Sequence, residues 1–326
     1  YEVVASFRID RNKAGSDNLA ATLKPGEMLY NYGSDSIGST FTNFSGSIGY
    51  TRKLSDVVQL SMAVGRGTRS PDMIERFIIL LPIGYDRFDY LGNPSLKPET
   101  NNQADVTFKF EFQRWGLLQM NGFYSIVSGY ITGQLIPEAE QKPRTADVLG
   151  VKQFYNAGKA RLRGFELSWA SPLEKPLGLR IFSSFTYGTI DEATRYTINK
   201  GGEVSGSEIV INDALSEIPP FEATFSIFYK FGQGKFVPEA SIRLVSAQRH
   251  ISSVYYENET PGFAVAGIHV TYNFNRYLQV SGGVRNILDV AYYEHLNRNI
   301  TGSADALYEP GRSFYVNLHF KINKVK

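Results

Sequence analysis

Four histidines, His250, His269, His295 and His319, are the first residues to test for metal or acid–base chemistry. None stands at the HExxH spacing that puts two imidazoles on one helix face, and their plainer reading is as loop residues or residues on polar strand faces. A metal site shared between them in space is left open. The chain has no cysteine, so a thiolate metal site and a disulfide framework are both excluded. Gly65-Arg66-Gly67 has the glycines of a phosphate loop without the Lys-Ser/Thr that must follow, and no GxSxG elbow is present. Nucleotide binding and serine hydrolysis therefore lack their signatures, and no cofactor and no enzymatic activity are expected.

Recognition is better supported than catalysis. "LLPIGYDRFDYLGN" carries Tyr85, Arg87 and Tyr90, "SAQRHISSVYYENETPGF" carries Arg249, His250, Tyr255 and Tyr256, and "YYEHLNR" carries His295. Arginine and tyrosine suit an anionic or aromatic ligand, through charge-assisted hydrogen bonds and ring contacts. For any single one of these residues, an interfacial aromatic or an inter-loop hydrogen bond is the more ordinary role.

These residues lie in long segments between strands of a marked kind. In "FEATFSIFYKF", Phe221, Ala223, Phe225, Ile227, Tyr229 and Phe231 alternate with Glu222, Thr224, Ser226 and Lys230, and Phe228 is the one exception. Twelve segments repeat this pattern, at 1–9, 40–53, 57–68, 101–112, 115–127, 160–170, 177–190, 221–231, 235–247, 263–274, 277–286 and 313–322. Charged residues recur in mid-strand on the polar face, which a packed sandwich core would not accept and a watery lumen would. Short links such as "LSD", "RWG", "GQG" and "NR" alternate strictly with long ones over 10–39, 69–100, 128–159, 191–220, 248–262 and 287–312. That sidedness predicts an all-β protein, a transmembrane antiparallel β-barrel of about twelve strands. No run of eighteen apolar residues exists, so no transmembrane helix is expected. With 34 basic and 32 acidic residues the charge is near balance, and no nucleic-acid footprint is present.

Several stretches resemble the TonB-dependent outer-membrane receptors. "GRGTRSPDMIERF" followed by "LGNPSLKPET" resembles that family's Arg-x-Pro strand exit and Asn-Pro-x-Leu-x-Pro-Glu loop. "YNAGKARLRGFELSW", "GVRNILDVAYYEHLNR" and "EPGRSFYVNLHFKI" resemble later strands in the correct order. The resemblance implies the C-terminal part of a 22-stranded barrel, with the N-terminal plug domain and the first strands absent from residues 1–326. It also implies active uptake of a ferric siderophore, haem, cobalamin or another metal complex. The implied partners are the TonB complex acting through the plug, the remainder of the barrel, outer-membrane lipid and lipopolysaccharide, and a small nutrient ligand. The rival readings are a smaller self-contained outer-membrane channel, an outer-membrane enzyme and a soluble β-rich binding module. Under the receptor reading Phe110, Phe225, Ile227, Leu244, Val280 and Leu318 meet lipid, the long loops lie outside the cell, and the chain does not close on itself.

Overall fold

The computed structural model describes residues 1–15, 27–32, 37–83, 86, 88–136, 142–146, 148–172, 174–199, 204–297 and 306–321. In chain order the strands are β1 (Glu2–Ala14), β2 (Ser39–Lys53), β3 (Val58–Arg69), β4 (Ile79–Leu81), β5 (Asp89–Leu91), β6 (Glu99–Phe112), β7 (Gly116–Ser128), β8 (Ile131–Leu135) and β9 (Val151–Asn156). Then come β10 (Lys159–Ala170), β11 (Leu177–Ile198), β12 (Val204–Ala214), β13 (Glu222–Tyr229), β14 (Phe236–Val245), β15 (Phe263–Asn273), β16 (Leu278–Arg285) and β17 (Ser313–Phe320). Two short helices, α1 (Glu27–Tyr32) and α2 (Met73–Phe77), lie between the first long strands. The twelve strands expected from alternation form one antiparallel meander in the order β1-β2-β3-β6-β7-β10-β11-β13-β14-β15-β16-β17. Among the described residues no ladder joins β1 to β17, so the sheet is an open wall.

Antiparallel register carries each side chain's face from strand to strand. Phe110 stands opposite Leu118, Leu118 opposite Trp169, Trp169 opposite Ile181, Ile181 opposite Phe225 and Phe225 opposite Ile242. The apolar face therefore runs unbroken across the wall, and it includes all six residues expected to meet lipid. The other face is mainly polar, with Ser61 opposite Thr107, Thr107 opposite Asn121 and Asn121 opposite Glu166, though Phe123, Phe182 and Phe228 also lie on it. At the short-turn end, Tyr229 and Phe231 are 4.5 Å apart between ring centres, as are Tyr272 and Phe274. Such rings mark the edge of an apolar band on a membrane barrel.

The short links all fall at one end of the wall and the long ones at the other. Three of the long links carry strands of their own, which alternation did not foresee. Segments 69–100 and 128–159, expected to be loops, contribute β4, β5, β8 and β9 to a second, four-stranded sheet in the order β4-β5-β9-β8. Segment 191–220 extends β11 and returns as β12. β4, β5, β8 and β9 are three to six residues long, too short for a period of two to read, whereas β12 is eleven residues long and mostly exposed. The three buried apolar clusters lie at this end as well: Phe88, Tyr90, Leu96, Ile131, Leu135 and Phe154 fill one, and Ala160, Ile190, Leu215 and Ile218 belong to another. Among the described residues the buried clusters are thus in the loop cap and at the cap end of wall strands β7, β10 and β11.

Phe228, an aromatic on the polar face, lies across Gly178 of the neighbouring strand, its direct ladder partner. A β-carbon at Gly178 would stand 2.0 Å from the ring. The ring also receives the Arg180 guanidinium at 5.0 Å. Gly178→Ala is accordingly expected to cost about 1–3 kcal/mol by overpacking. In a Phe228→Ala background the same change should cost far less, because the two sites share one space. Thermal midpoints of the four detergent-solubilised receptors check this. Additive shifts would show that the ring does not occupy the glycine's space.

Candidate ligand-binding site in the loop cap

The cap is anchored where the chain leaves the wall. Arg69, at the end of β3, forms a bidentate pair with Glu75 at 2.9 Å and reaches Glu99, at the start of β6, at 2.8 Å. One guanidinium fork therefore ties the start of segment 70–98 to its end. Glu75 also completes a capping box with Asp72 on α2. Asn93 donates to the Phe154 carbonyl at 2.9 Å, and Asn156 accepts from the Lys97 N–H at 2.8 Å. The motifs that carried the family resemblance thus lock two loops into one platform.

On that platform, buried Lys152 pairs with Asp86, whose Oδ2 also accepts from the Tyr90 hydroxyl at 2.9 Å. The ammonium sits over the rings of Phe88 at 4.3 Å, Tyr255 at 5.0 Å and Tyr90 at 6.0 Å. Burial pulls the Lys152 amine below its ordinary range, and the Asp86 carboxylate works against that shift. Burial raises the Tyr90 phenol well above its ordinary range, and nearby Asp86 adds to this. Burial likewise raises Tyr255, with Tyr155 as the next contribution. Both phenols are therefore neutral hydrogen-bonding groups at physiological pH. Beside this cage is a narrow crevice lined by Gln134, Thr194, Tyr155, Tyr196, Tyr255 and Tyr256. Tyr256 is 41% exposed and held at φ 54°, a strained setting for a residue with a β-carbon, of the kind that collects at binding sites.

Two carboxylates gather the remaining loops. Asp213 accepts from the hydroxyls of Ser252 and Ser253, at 2.6 and 2.8 Å, and from the N–H groups of Ser253 and Val254. Glu257 accepts from the N–H groups of Glu217 at 2.7 Å and Ser252 at 2.9 Å, and its Oε1 lies 3.1 Å from His295 Nε2. Next to His295, Glu294 pairs with Arg243 on the polar face of β14 at 2.5 Å, and Arg243 also holds Glu222 at 2.6 Å. The last long loop is thereby held to its neighbour and to the wall by adjacent side chains.

The residues singled out in the sequence divide accordingly. Tyr90, Tyr255 and Tyr256 come together around Lys152 and the crevice. His295 lies in the Glu257 hub, and Thr260 Oγ1 stands 3.1 Å from its Nδ1. His250 is elsewhere, stacked on Tyr187 at 4.1 Å, and Arg249 is exposed. Tyr85 and Arg87 lie outside the described residues. Lys152, Asp86, Gln134, Tyr196, Glu257 and Thr132, whose hydroxyl donates to Tyr255 at 2.7 Å, were not singled out, because only the docking of separate loops brings them together.

An open antiparallel wall with one apolar face, one polar face and a folded cap at one end defines a membrane β-barrel of the receptor type. The family model for "TonB dependent receptor-like, beta-barrel" matches residues 1–287, and the chain belongs to that family. Among curated relatives it is 24% identical to "Probable TonB-dependent siderophore receptor PirA" of Acinetobacter baumannii, over 93% of this chain and 42% of that receptor. It is 23% identical to "Ferric enterobactin receptor PirA" of Pseudomonas aeruginosa, over 93% of this chain and 40% of that receptor. The chain thus spans about two-fifths of the length of these relatives. Among solved structures it superposes on "Copper transporter OprC" with a TM-score of 0.72 at 22% identity, covering 98% of this chain and 44% of that one. It superposes on the ferric enterobactin receptor PfeA of Pseudomonas aeruginosa with a TM-score of 0.60 at 18% identity, covering 86% and 40%. These likenesses show the fold.

The Glu257 hub has a definite pH signature. Burial alone would raise the carboxyl, but the hydrogen bonds from His295 and from the Glu217 and Ser252 N–H groups outweigh it and hold the group below the ordinary glutamate range. A depressed carboxyl stabilises the fold above its unfolded value, near about 4.3, and that contribution is lost as pH falls through the lower folded value. Hydrogen-exchange protection of residues 252–257 and 294–297 should therefore fall on acidification below about pH 4. Glu257→Gln should show weak protection at neutral pH and little further change. Equal acid sensitivity in both proteins would contradict the assignment.

Proposed function

We propose that this chain is part of the barrel and the ligand-capturing cap of an outer-membrane receptor that takes up a scarce nutrient complex with energy from TonB. The observation that carries this reading is the joining of a two-faced wall to a cap, with the large buried clusters among the described residues at that end. The apolar face meets lipid, the polar face lines a lumen, and a plug domain supplied by sequence outside residues 1–326 fills that lumen and contacts TonB. The same outside sequence supplies the remaining barrel strands. Family membership supports transport and not catalysis.

The crevice chemistry favours an anionic, ring-bearing chelate. Tyr155, Tyr196, Tyr255 and Tyr256 offer ring faces and neutral hydroxyls, and Lys152 lies behind them as a buried cation. The matched relatives have names that include siderophore, ferric enterobactin and copper; the crevice itself, at about 10 Å³, has room for about one water, so a ferric catecholate would rest against its open rim at exposed Tyr256.

In intact cells producing the full-length receptor, labelled iron presented as a catecholate chelate should bind at least about tenfold more weakly to Tyr256→Ala than to the native protein. Arg180→Gln, a change on the polar wall face, should leave binding unchanged. A receptor that binds no catecholate, haem or copper complex, and that passes ions passively when reconstituted without TonB, would overturn the proposal in favour of a channel.

A further inference from the structure

The hairpin of β11 and β12 turns two isoleucines outward beside the crevice. Thr194 and Tyr196 of β11 line the crevice. Their ladder partners on β12 are Ile209 and Ser207, and Ile211 follows Ile209 on the same face, opposite Glu192. Facing side chains of such a pair stand about 5 Å apart, and residues i and i+2 of one strand about 7 Å, so Thr194, Ile209 and Ile211 form a continuous strip leading out of the crevice. Ile209 is 65% exposed and Ile211 60%. The opposite face of the hairpin is the anchored one. There Ala193 joins the buried cluster of Ile190, Leu215 and Ile218, Val210 is half-buried, and Arg195 pairs with Glu208. Among the described residues β12 has no second strand neighbour, so nothing in the sheet covers the strip.

We propose that Ile209 and Ile211 form an apolar subsite for the captured ligand, which is an amphiphilic chelate with a metal-binding head on the crevice rim and an aliphatic arm laid along β12. The inference rests on the capture role given above to that rim. Apolar residues scattered singly on a surface are ordinary, whereas two side by side on the border of a crevice form a patch that a ligand can cover. The crevice is too small to admit the head, so the head stays at Tyr256, and the first side chain met beyond Thr194 is Ile209. Ser207, opposite Tyr196, ends the strip with a hydroxyl, so the arm runs toward Ile211. Apolar contact is non-directional, and the strip therefore selects among chelates of equal charge without fixing where the metal sits.

The test uses the full-length receptor in lipid nanodiscs and two probes, a ferric tris-catecholate chelate and the same chelate bearing one hexyl arm. Equilibrium binding of labelled iron reports affinity. The native receptor should bind the hexyl chelate at least about tenfold more tightly than the plain one. In Ile209→Thr/Ile211→Thr, which keeps the β-branched shape that suits a strand, the advantage should fall below about threefold, with the plain chelate bound as before. Ile209→Val/Ile211→Val should retain most of the advantage, and Tyr256→Ala should weaken both chelates alike. Where the double threonine variant does not fold, Ile209→Thr alone is read, with the same direction expected. Equal affinity of the native receptor for the two chelates would overturn the inference and leave catecholate capture standing. An advantage that survives undiminished in the threonine variant would overturn it too, because the arm would then rest elsewhere. Binding of neither chelate to the native receptor would instead overturn the catecholate reading, and this inference with it.

Discussion

The constraint on which everything else depends is the need of each backbone N–H and C=O for a partner where no water can supply one. A strand meander answers it with ladders on both sides of every interior strand, and the ten strands between β1 and β17 are paired in this way. The same ladder sorts the side chains. Alternation along a strand and register between strands place Phe225, Ile242 and Ile181 together and place Thr224, Arg243 and Phe182 behind them. A wall built so has no interior of its own. Its apolar atoms need an apolar surrounding, its polar atoms need water or polar partners, and the open backbone edges of β1 and β17 need hydrogen-bond partners.

Among the described residues the buried clusters consequently lie in the cap and at the cap end of the wall strands, and the buried Lys152–Asp86 pair lies there too. Burying the Lys152–Asp86 pair is costly by itself; three aromatic rings face the ammonium and the Tyr90 hydroxyl donates to Asp86 Oδ2, while Asp86 Oδ1 has no partner among the described residues. The carboxylates of Asp213 and Glu257 each collect donors from segments remote in sequence, so the loops behave as one unit. Under the proposed receptor function, a cap of this kind would present preorganised rings to a ligand and avoid the ordering cost of separate mobile loops.

The wall was legible in the sequence because its signal is local and repeated: eight to fifteen residues of strict alternation fix a strand, its faces and its neighbours. The one exception inside the best strand, Phe228, becomes intelligible only across the ladder, where it covers Gly178. The cap was not legible for the same physical reason reversed. β5 is three residues long and buried on both faces, so "DYL" shows no period, and β9 carries Lys152 inward among aromatic rings where a polar face would be expected to point out. Tyr90, Tyr255 and Tyr256 could be singled out by residue type. Their association with Lys152 depends on three loops docking, which no spacing along the chain encodes.

The account stands or falls on which way the wall is oriented in the membrane, since only a cap facing outward can meet a nutrient before the barrel does. The chain contains no cysteine, so single cysteines placed at Ser95 in the cap and Gln233 in the β13–β14 turn are the only thiols that residues 1–326 contribute. In intact cells carrying the full-length receptor, a membrane-impermeant maleimide should label the Ser95→Cys protein, and should reach the Gln233→Cys protein only after the outer membrane is opened. Labelling of Gln233→Cys but not Ser95→Cys in intact cells would contradict the account directly.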